Sequence, residues 1–103
     1  MSSVIQDKIE RLKDLCVKYR VKRLDLFGSA ARDDFDPETS DLDFLVEFEP
    51  MSPVEHGTSF LGLLEDLERL FGTGIDLLEP EPIENPYLWK SIVRSRKVLY
   101  EAA

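Results

Sequence analysis

Asp41 and Asp43 open an apolar run that ends at Phe48, and their spacing is the feature of this sequence that most clearly suggests chemistry. Alternate residues of a β-strand point to the same face, so a strand here would present both carboxylates on one side. Neighbouring carboxylates raise each other's pKa unless a cation lies between them. Hard divalent cations such as Mg2+ prefer oxygen ligands and commonly bind phosphates as well. The spacing therefore indicates a metal site at the start of a strand.

A glycine-serine turn, Gly28-Ser29, lies upstream of this pair and follows a short apolar run, Leu24–Phe27. Backbone N–H groups at a turn from a strand to a helix form an anion site that suits phosphate. Each feature has an ordinary alternative, a plain turn for Gly28-Ser29 and a solvated strand edge for the acids. Both features together, in this order, predict a site for a metal–nucleotide complex. Arg32 is a further candidate to bind phosphate, or else a surface charge.

A third acid, Asp76, interrupts the otherwise apolar run from Gly74 to Glu79. A charged residue within a strand is costly unless it is paired. If this strand lies beside the strand that carries Asp41 and Asp43, Asp76 becomes a third carboxylate of the same site. The alternative is an acid at the start of an edge strand that faces water.

The segments G-S-A-A-R from Gly28 and S-D-L-D-F-L-V from Ser40 resemble the signature of the minimal nucleotidyltransferases (MNT), a branch of the DNA polymerase β-like superfamily. The spacer between Ser29 and Asp41 holds eleven residues, one more than is usual in that signature. Asp33 stands where a glycine often follows the arginine. An added loop residue costs little, and we expect Asp33 to point away from the phosphates.

The resemblance implies an α/β (α+β) fold, with a small mixed β-sheet flanked by helices as in the polymerase β-like nucleotidyltransferases. It also implies a catalytic and metal-binding triad of Asp41, Asp43 and Asp76, with Asp76 on a neighbouring strand. One or two Mg2+ ions and ATP would bind there. Many members of this branch are antitoxins that transfer AMP to a tyrosine of a HEPN-domain toxin, so the resemblance implies such a partner.

The composition bounds the class of protein. At 103 residues we expect a single domain, 1–103, with one modest core. No apolar run approaches the length of a membrane span and no leader pattern opens the chain, so we expect no membrane association. Cys16 falls on an apolar helix face, where a buried thiol and a reducing cytoplasm are the natural expectation.

The net charge of −8 is unevenly distributed. Residues 1–32 hold eight Lys and Arg against four acids, whereas residues 33–49 hold eight acids and no base. A nucleic-acid binder needs a basic face. We therefore expect no general DNA or RNA binding, and favour a metal–nucleotide ligand or a basic protein partner.

The remaining segments supply the supporting elements. An apolar stripe from Ile5 to Tyr19 predicts an amphipathic helix. The segment Met51–Thr58 is predicted to be a loop that contains a solvated His56, and Ser59 to begin a helix that ends at Gly72. Asn85-Pro86 is a favourable start for a last helix, and a short strand at 98–100 follows it.

These features lead to a first hypothesis of Mg-dependent AMP transfer from ATP to a partner protein, in an antitoxin. A chain of this length has little room for an acceptor-binding domain, so the acceptor would bring its own docking surface. Two alternatives remain open. One is a non-catalytic antitoxin that neutralises its partner by binding, and the other is nucleotidyl transfer to a small molecule such as an aminoglycoside.

Overall fold

The computed structural model describes residues 3–32 and 41–102 of the chain. The helices are α1 (Ser3–Gln6), α2 (Ile9–Lys18), α3 (Pro53–Phe71) and α4 (Pro86–Ser95), and the strands are β1 (Val21–Phe27), β2 (Leu42–Phe48), β3 (Ile75–Leu78) and β4 (Lys97–Glu101). A 3-10 turn, Gly28–Ala30, follows β1 directly. The polar loop predicted at 33–40, with its Asp33, lies outside the described residues.

The four strands form one mixed sheet in the order β3-β2-β1-β4. β1 is antiparallel to both β2 and β4, whereas β2 and β3 are parallel. The parallel pair is joined through α3, because a parallel connection needs a crossover that is usually a helix. The predicted fold class, a small mixed sheet flanked by helices, is confirmed.

Helices cover both faces of the sheet. Alternating residues of β1 and β2 pack against α2 and α3, and the buried side chains of this main core include Leu12, Cys16, Leu24, Leu26, Leu42, Phe44, Val46, Leu63 and Leu67. On the other face, Ile92 of α4 packs against Phe27 and Leu45. Asp43 lies on the α4 face, because alternation along β2 places Leu42 and Phe44 on the opposite face.

α3 begins earlier than predicted. Ser52 caps it by accepting a hydrogen bond from the N–H of Glu55, and Pro53 occupies the first helical position, where a missing N–H costs nothing. The predicted loop 51–58 is therefore mostly helix, and the prediction that His56 is a solvated loop residue is wrong. His56 is partly buried and its Nε2 lies 2.8 Å from a carboxylate oxygen of Glu79.

Other helix boundaries follow local signals. Gly72 ends α3 in the left-handed conformation, as predicted. Asn85 caps α4 by accepting hydrogen bonds from the N–H groups of Tyr87 and Leu88. The first amphipathic segment is divided at residues 7–8 into α1 and α2. Among residues 3–32 and 41–102, no helix combines the length and the apolar character that a membrane span requires.

One charged side chain, that of Asp25 in β1, lies within the α4 face and is 1% exposed. Arg23 donates to it at 3.0 Å. Arg96, directly after α4, places its Nε 2.8 Å from the other oxygen in an ion pair whose N–H is not aligned as a hydrogen bond. A buried carboxylate needs such partners, because an unpaired buried charge is very unfavourable. This cluster fixes the end of α4 against the centre of the sheet.

We expect Asp25→Asn to lower the free energy of unfolding by about 3 kcal/mol, because it leaves two arginines facing a neutral group. Urea denaturation at pH 7 measures this change. The matched control is Glu101→Gln, because Glu101 is exposed and lies 3.7 Å from the same Arg23. Its effect should stay below about 0.5 kcal/mol. Equal effects from the two substitutions would show that burial of Asp25 is not what makes the cluster important.

Candidate active site

The pairing of β2 with β3 determines where the acids lie. In the parallel register Asp43 is directly opposite Asp76, and Leu42 is opposite Ile75. Paired residues on adjacent strands point to the same face and are separated by about 4.8 Å. Asp76 is therefore a neighbour of Asp43, on the edge strand of the sheet and exposed to solvent. The arrangement that the sequence left open, β3 beside β2, is the one found.

Asp41 lies immediately before β2 and packs against the backbone of Gly74. A Cβ atom at Gly74 would be 2.9 Å from Cγ of Asp41 and would overlap one of its carboxylate oxygens. The carbonyl of Gly74 also accepts a hydrogen bond of 3.0 Å from the N–H of Leu42. The glycine before β3 therefore makes the space that the Asp41 carboxylate occupies.

Gly28 makes the equivalent space for Asp43. The antiparallel register places Phe27 opposite Asp43, so the next residue, Gly28, lies at the carboxylate. A Cβ atom at Gly28 would be 3.2 Å from Cγ of Asp43 and would overlap its Oδ2. Gly28 also has a φ angle of +72°, a backbone conformation that residues other than glycine rarely adopt. Two independent reasons thus require glycine at this position.

The hydrogen bonds of the Gly28–Ala30 turn decide which groups can meet a ligand. The carbonyl of Gly28 accepts from the N–H groups of Ala31 and Arg32, at 3.1 and 3.2 Å. The N–H of Gly28 donates to Oγ of Ser95, at 3.1 Å. Because this N–H is already used within the protein, Gly28 contributes conformation and space. Among residues 3–32 and 41–102, the N–H and hydroxyl of Ser29 make no hydrogen bond, so these two groups, together with the Arg32 side chain, are the candidates of the predicted phosphate site for contact with a ligand.

The electrostatics of Asp43 show that the acids interact. Burial, followed by the negative charges of Asp76 and Asp41, raises its pKa from 3.8 to about 6. The positive charge of Arg32 acts in the opposite direction on the same pKa. Asp43 is therefore close enough to Asp41, Asp76 and Arg32 to be coupled to each of them. A cation placed among the carboxylates would remove the repulsion.

The donor set suits a hard divalent cation in one specific way. Within 3–32 and 41–102, no group of three His, Cys, Asp or Glu side chains is arranged to hold a metal ion. Mg2+ is commonly bound by one or two carboxylates together with waters and substrate phosphates, not by a complete protein cage. Asp41 and Asp43, with Asp76 beside them and Ser29 nearby, fit that kind of site.

A cavity of about 580 Å3 lies at the other end of β2 and is lined by Phe48, His56, Glu79 and Trp89, among other residues. None of the three aspartates lines it, so this cavity and the acidic site are distinct places. Sequence reasoning also missed Ser95, which contacts the Gly28–Ala30 turn from α4. No motif marks this serine, because its partner is 67 residues away in the chain.

Comparison with known proteins gives a consistent result. Residues 8–99 match the family model described as the nucleotidyltransferase domain. Over 81 residues the chain is 43% identical to a Methanocaldococcus jannaschii protein that is provisionally named a protein adenylyltransferase. The aligned segment covers 79% of this chain and 76% of that protein.

Solved structures share the fold. A structure provisionally described as a minimal nucleotidyltransferase has a TM-score of 0.66 and 29% identity, over 94% of this chain and 95% of that one. A chain in the complex of a tri-AMPylated Shewanella oneidensis HEPN toxin with an MNT antitoxin has a TM-score of 0.63, over 94% of this chain and 72% of that one. Its 17% identity supports the fold alone. The resemblance to the minimal nucleotidyltransferases is thus confirmed, and the chain belongs to the nucleotidyltransferase domain family.

Proposed function

We propose that this protein transfers AMP from ATP to a hydroxyl group of a partner protein, a tyrosine of a HEPN-type toxin, in a Mg-dependent reaction that makes it the antitoxin of a HEPN/MNT pair. The observation that carries the proposal is the register of Asp43 with Asp76, next to Asp41 and the Gly28–Ala30 turn. The provisional name of the M. jannaschii relative supports a protein acceptor, and the Shewanella complex supports a HEPN partner.

Each residue of the site has a role in this proposal. Asp41 and Asp43 hold the metal–nucleotide complex, with Asp76 as a further ligand, and Ser29 and Arg32 bind the outer phosphates. Mg2+ bound there would neutralise phosphate charge and polarise the attacking oxygen. Asp76 is exposed at the sheet edge, where an acceptor can reach it, and it accepts the hydroxyl proton. The acceptor oxygen bonds to the α-phosphorus, whose bond to the bridging oxygen breaks as pyrophosphate leaves.

The surface of α4 favours a protein acceptor over a small molecule. Tyr87, Val93 and Leu88 are 81%, 50% and 40% exposed, although the apolar pattern of this helix is typical of burial on a core. Exposed apolar side chains grouped on one element suit a protein–protein contact. Among the described residues the site lies at the exposed edge strand β3, where a protein acceptor can approach it. The coupled carboxylates also favour an enzyme over a non-catalytic antitoxin, because an antitoxin that only binds its partner gains nothing from clustered acids.

The direct test is to incubate the protein with Mg-ATP and a HEPN-type partner protein, and to measure the intact mass of the partner. We expect mass increments of one or more AMP units and release of pyrophosphate. Asp41→Asn combined with Asp43→Asn should abolish the increments, because the remaining site lacks the charge to hold a metal–nucleotide complex. Glu68→Gln, an exposed acid on α3, is the control and should behave as wild type.

The same experiment separates an enzyme from an occluding binder. If neutralisation of the partner is enzymatic, the double variant loses transfer and protection together. If the double variant still protects the partner without any mass increment, the protein acts by binding. Transfer to an aminoglycoside and not to the protein partner would support the small-molecule alternative.

The pKa of Asp43 gives a second test. In the metal-free protein we expect its carboxyl to titrate near pH 6, against an ordinary value of 3.8. Because the folded state binds this proton more tightly than the unfolded state, the free energy of unfolding falls as pH rises from about 4 to about 6. Carbon-13 NMR of the carboxyl and urea denaturation across this range measure the two effects.

Two changes should lower the pKa of Asp43. Asp76→Asn removes a negative neighbour, and the Mg2+ ion of bound Mg-ATP would place positive charge next to the carboxylate of Asp43. Asp43→Asn should abolish this site's contribution to the fall in stability. A titration midpoint that Asp76→Asn leaves unchanged would contradict the coupling of the two acids.

The third test concerns the space beside Asp41. We expect Gly74→Ala to lower the rate of AMP transfer about 100-fold, because the new Cβ displaces a ligand carboxylate and small misplacements have effects of that size. Gly57→Ala is the matched control, because a Cβ there meets nothing within 4 Å. It should leave transfer unchanged and stabilise α3 slightly. Full activity of Gly74→Ala would show that Asp41 need not occupy this position.

A further inference from the structure

Ser95, in the last turn of α4, links that helix to the Gly28–Ala30 turn. Its side chain is almost fully buried, and its Oγ accepts the hydrogen bond of 3.1 Å from the N–H of Gly28. Its own hydroxyl proton is committed to the carbonyl of Ser91, also at 3.1 Å. With the proton directed along the helix, the oxygen lone pair is oriented toward the turn. The Gly28 N–H would otherwise be a partly buried donor without an acceptor.

The next residue anchors this contact to the sheet. Arg96 is 22% exposed and pairs with the buried Asp25, which lies on β1 two residues before Phe27. The guanidinium of Arg96 also lies 5.8 Å from the ring of Trp89 on α4. The end of α4 is thus held to β1 by an ion pair at Arg96 and to the turn after β1 by a hydrogen bond at Ser95. These contacts make the position of Ser95 well defined.

The turn needs such support because its geometry is demanding. Gly28 has a positive φ and its Cα packs against the carboxylate of Asp43, so a small rotation of this peptide would alter both the turn and the acid. A residue in a sparsely populated conformation persists when its surroundings hold it there. Among the described residues, Ser95 provides the side-chain contact that holds the Gly28 N–H.

We propose that Ser95 is a positioning residue for nucleotide binding, which fixes the Gly28–Ala30 turn so that Ser29 faces the phosphates beside Asp43. This inference rests on the proposed function, since it assigns the turn to phosphate. It also assigns a task to α4, whose end is held to the turn by Ser95 and to β1 by the adjacent Arg96. Ser95 itself contacts neither the substrate nor the reacting atoms in this arrangement.

The test compares Ser95→Ala with Ser95→Thr, which keeps the oxygen, and with Ser91→Ala, which removes an exposed hydroxyl from the same helix. Hydrogen exchange followed by NMR in the nucleotide-free protein measures the turn directly. We expect the Gly28 amide of Ser95→Ala to exchange about tenfold faster, the effect of one lost hydrogen bond. The amides of β2 should exchange as in the wild type, and both control variants should resemble the wild type.

Kinetics then test the link to nucleotide binding. The turn holds the outer phosphates and not the phosphorus atom that is attacked, so we expect its loss to weaken binding of ATP in the ground state and in the transition state by similar amounts. We expect Ser95→Ala to raise KM for ATP about tenfold with kcat nearly unchanged, and Ser95→Thr to restore KM. A merely structural role would change thermal stability without this selective change in KM.

Several outcomes would overturn the proposal. Unchanged exchange of the Gly28 amide in Ser95→Ala would show that the serine does not hold the turn. Faster exchange with an unchanged KM would show that the turn does not position ATP. If the wild type neither binds Mg-ATP nor transfers AMP, the proposed function fails, whereas the exchange data still decide whether Ser95 holds the turn.

Discussion

Burial of the Asp43 carboxylate, together with its repulsion by Asp76 and Asp41, is the constraint around which the acidic site is built. The parallel pairing of β2 with β3 forces Asp43 and Asp76 onto one face, although an adjacent pair of like charges is unfavourable. Burial and these two neighbours raise the pKa of Asp43 to about 6. A fold that keeps such an arrangement has a use for a cation. The proposed metal–nucleotide complex supplies it and removes the repulsion.

The elements around the acids serve this arrangement. Gly28 and Gly74 leave the volumes that two carboxylates occupy, and side chains at either position would displace an acid. Ser95 holds the first of these glycines through its N–H, and Arg96 fixes the end of α4 to the buried Asp25. The acidic site therefore depends on the pairing of the strands, on two glycines and on the end of α4. It does not coincide with the cavity at the opposite end of β2.

Local signals in the sequence were sufficient for much of this fold. The alternation in β2, the glycine that ends α3 and the Asn85-Pro86 start of α4 each predict an element that is present. The start of α3 was misjudged because Pro53 reads equally well as a strand terminator and as a first helical residue. The resemblance to the nucleotidyltransferases suggested that β3 lies beside β2, which periodicity alone leaves undetermined.

What the sequence does not reveal is long-range pairing. Nothing in the local sequence predicts that Asp25 is paired when buried, because its partner Arg96 is far away in the chain. The role of Ser95 could not be predicted for the same reason, because a single serine in a helix gives no sequence signal of its contact with the distant Gly28–Ala30 turn. The apolar residues of α4 predict burial, yet Tyr87 is largely exposed, because α4 uses Ile92 to cover the sheet.

The most direct measurement of the central claim replaces Mg2+ with paramagnetic Mn2+ in the presence of a non-hydrolysable ATP analogue and follows line broadening by NMR. If the carboxylates and the turn hold a metal–nucleotide complex, broadening centres on residues 28–29, 41–43 and 76 and requires the nucleotide. Broadening centred elsewhere, for example at Glu79 and His56, or the same with and without the analogue, would contradict it.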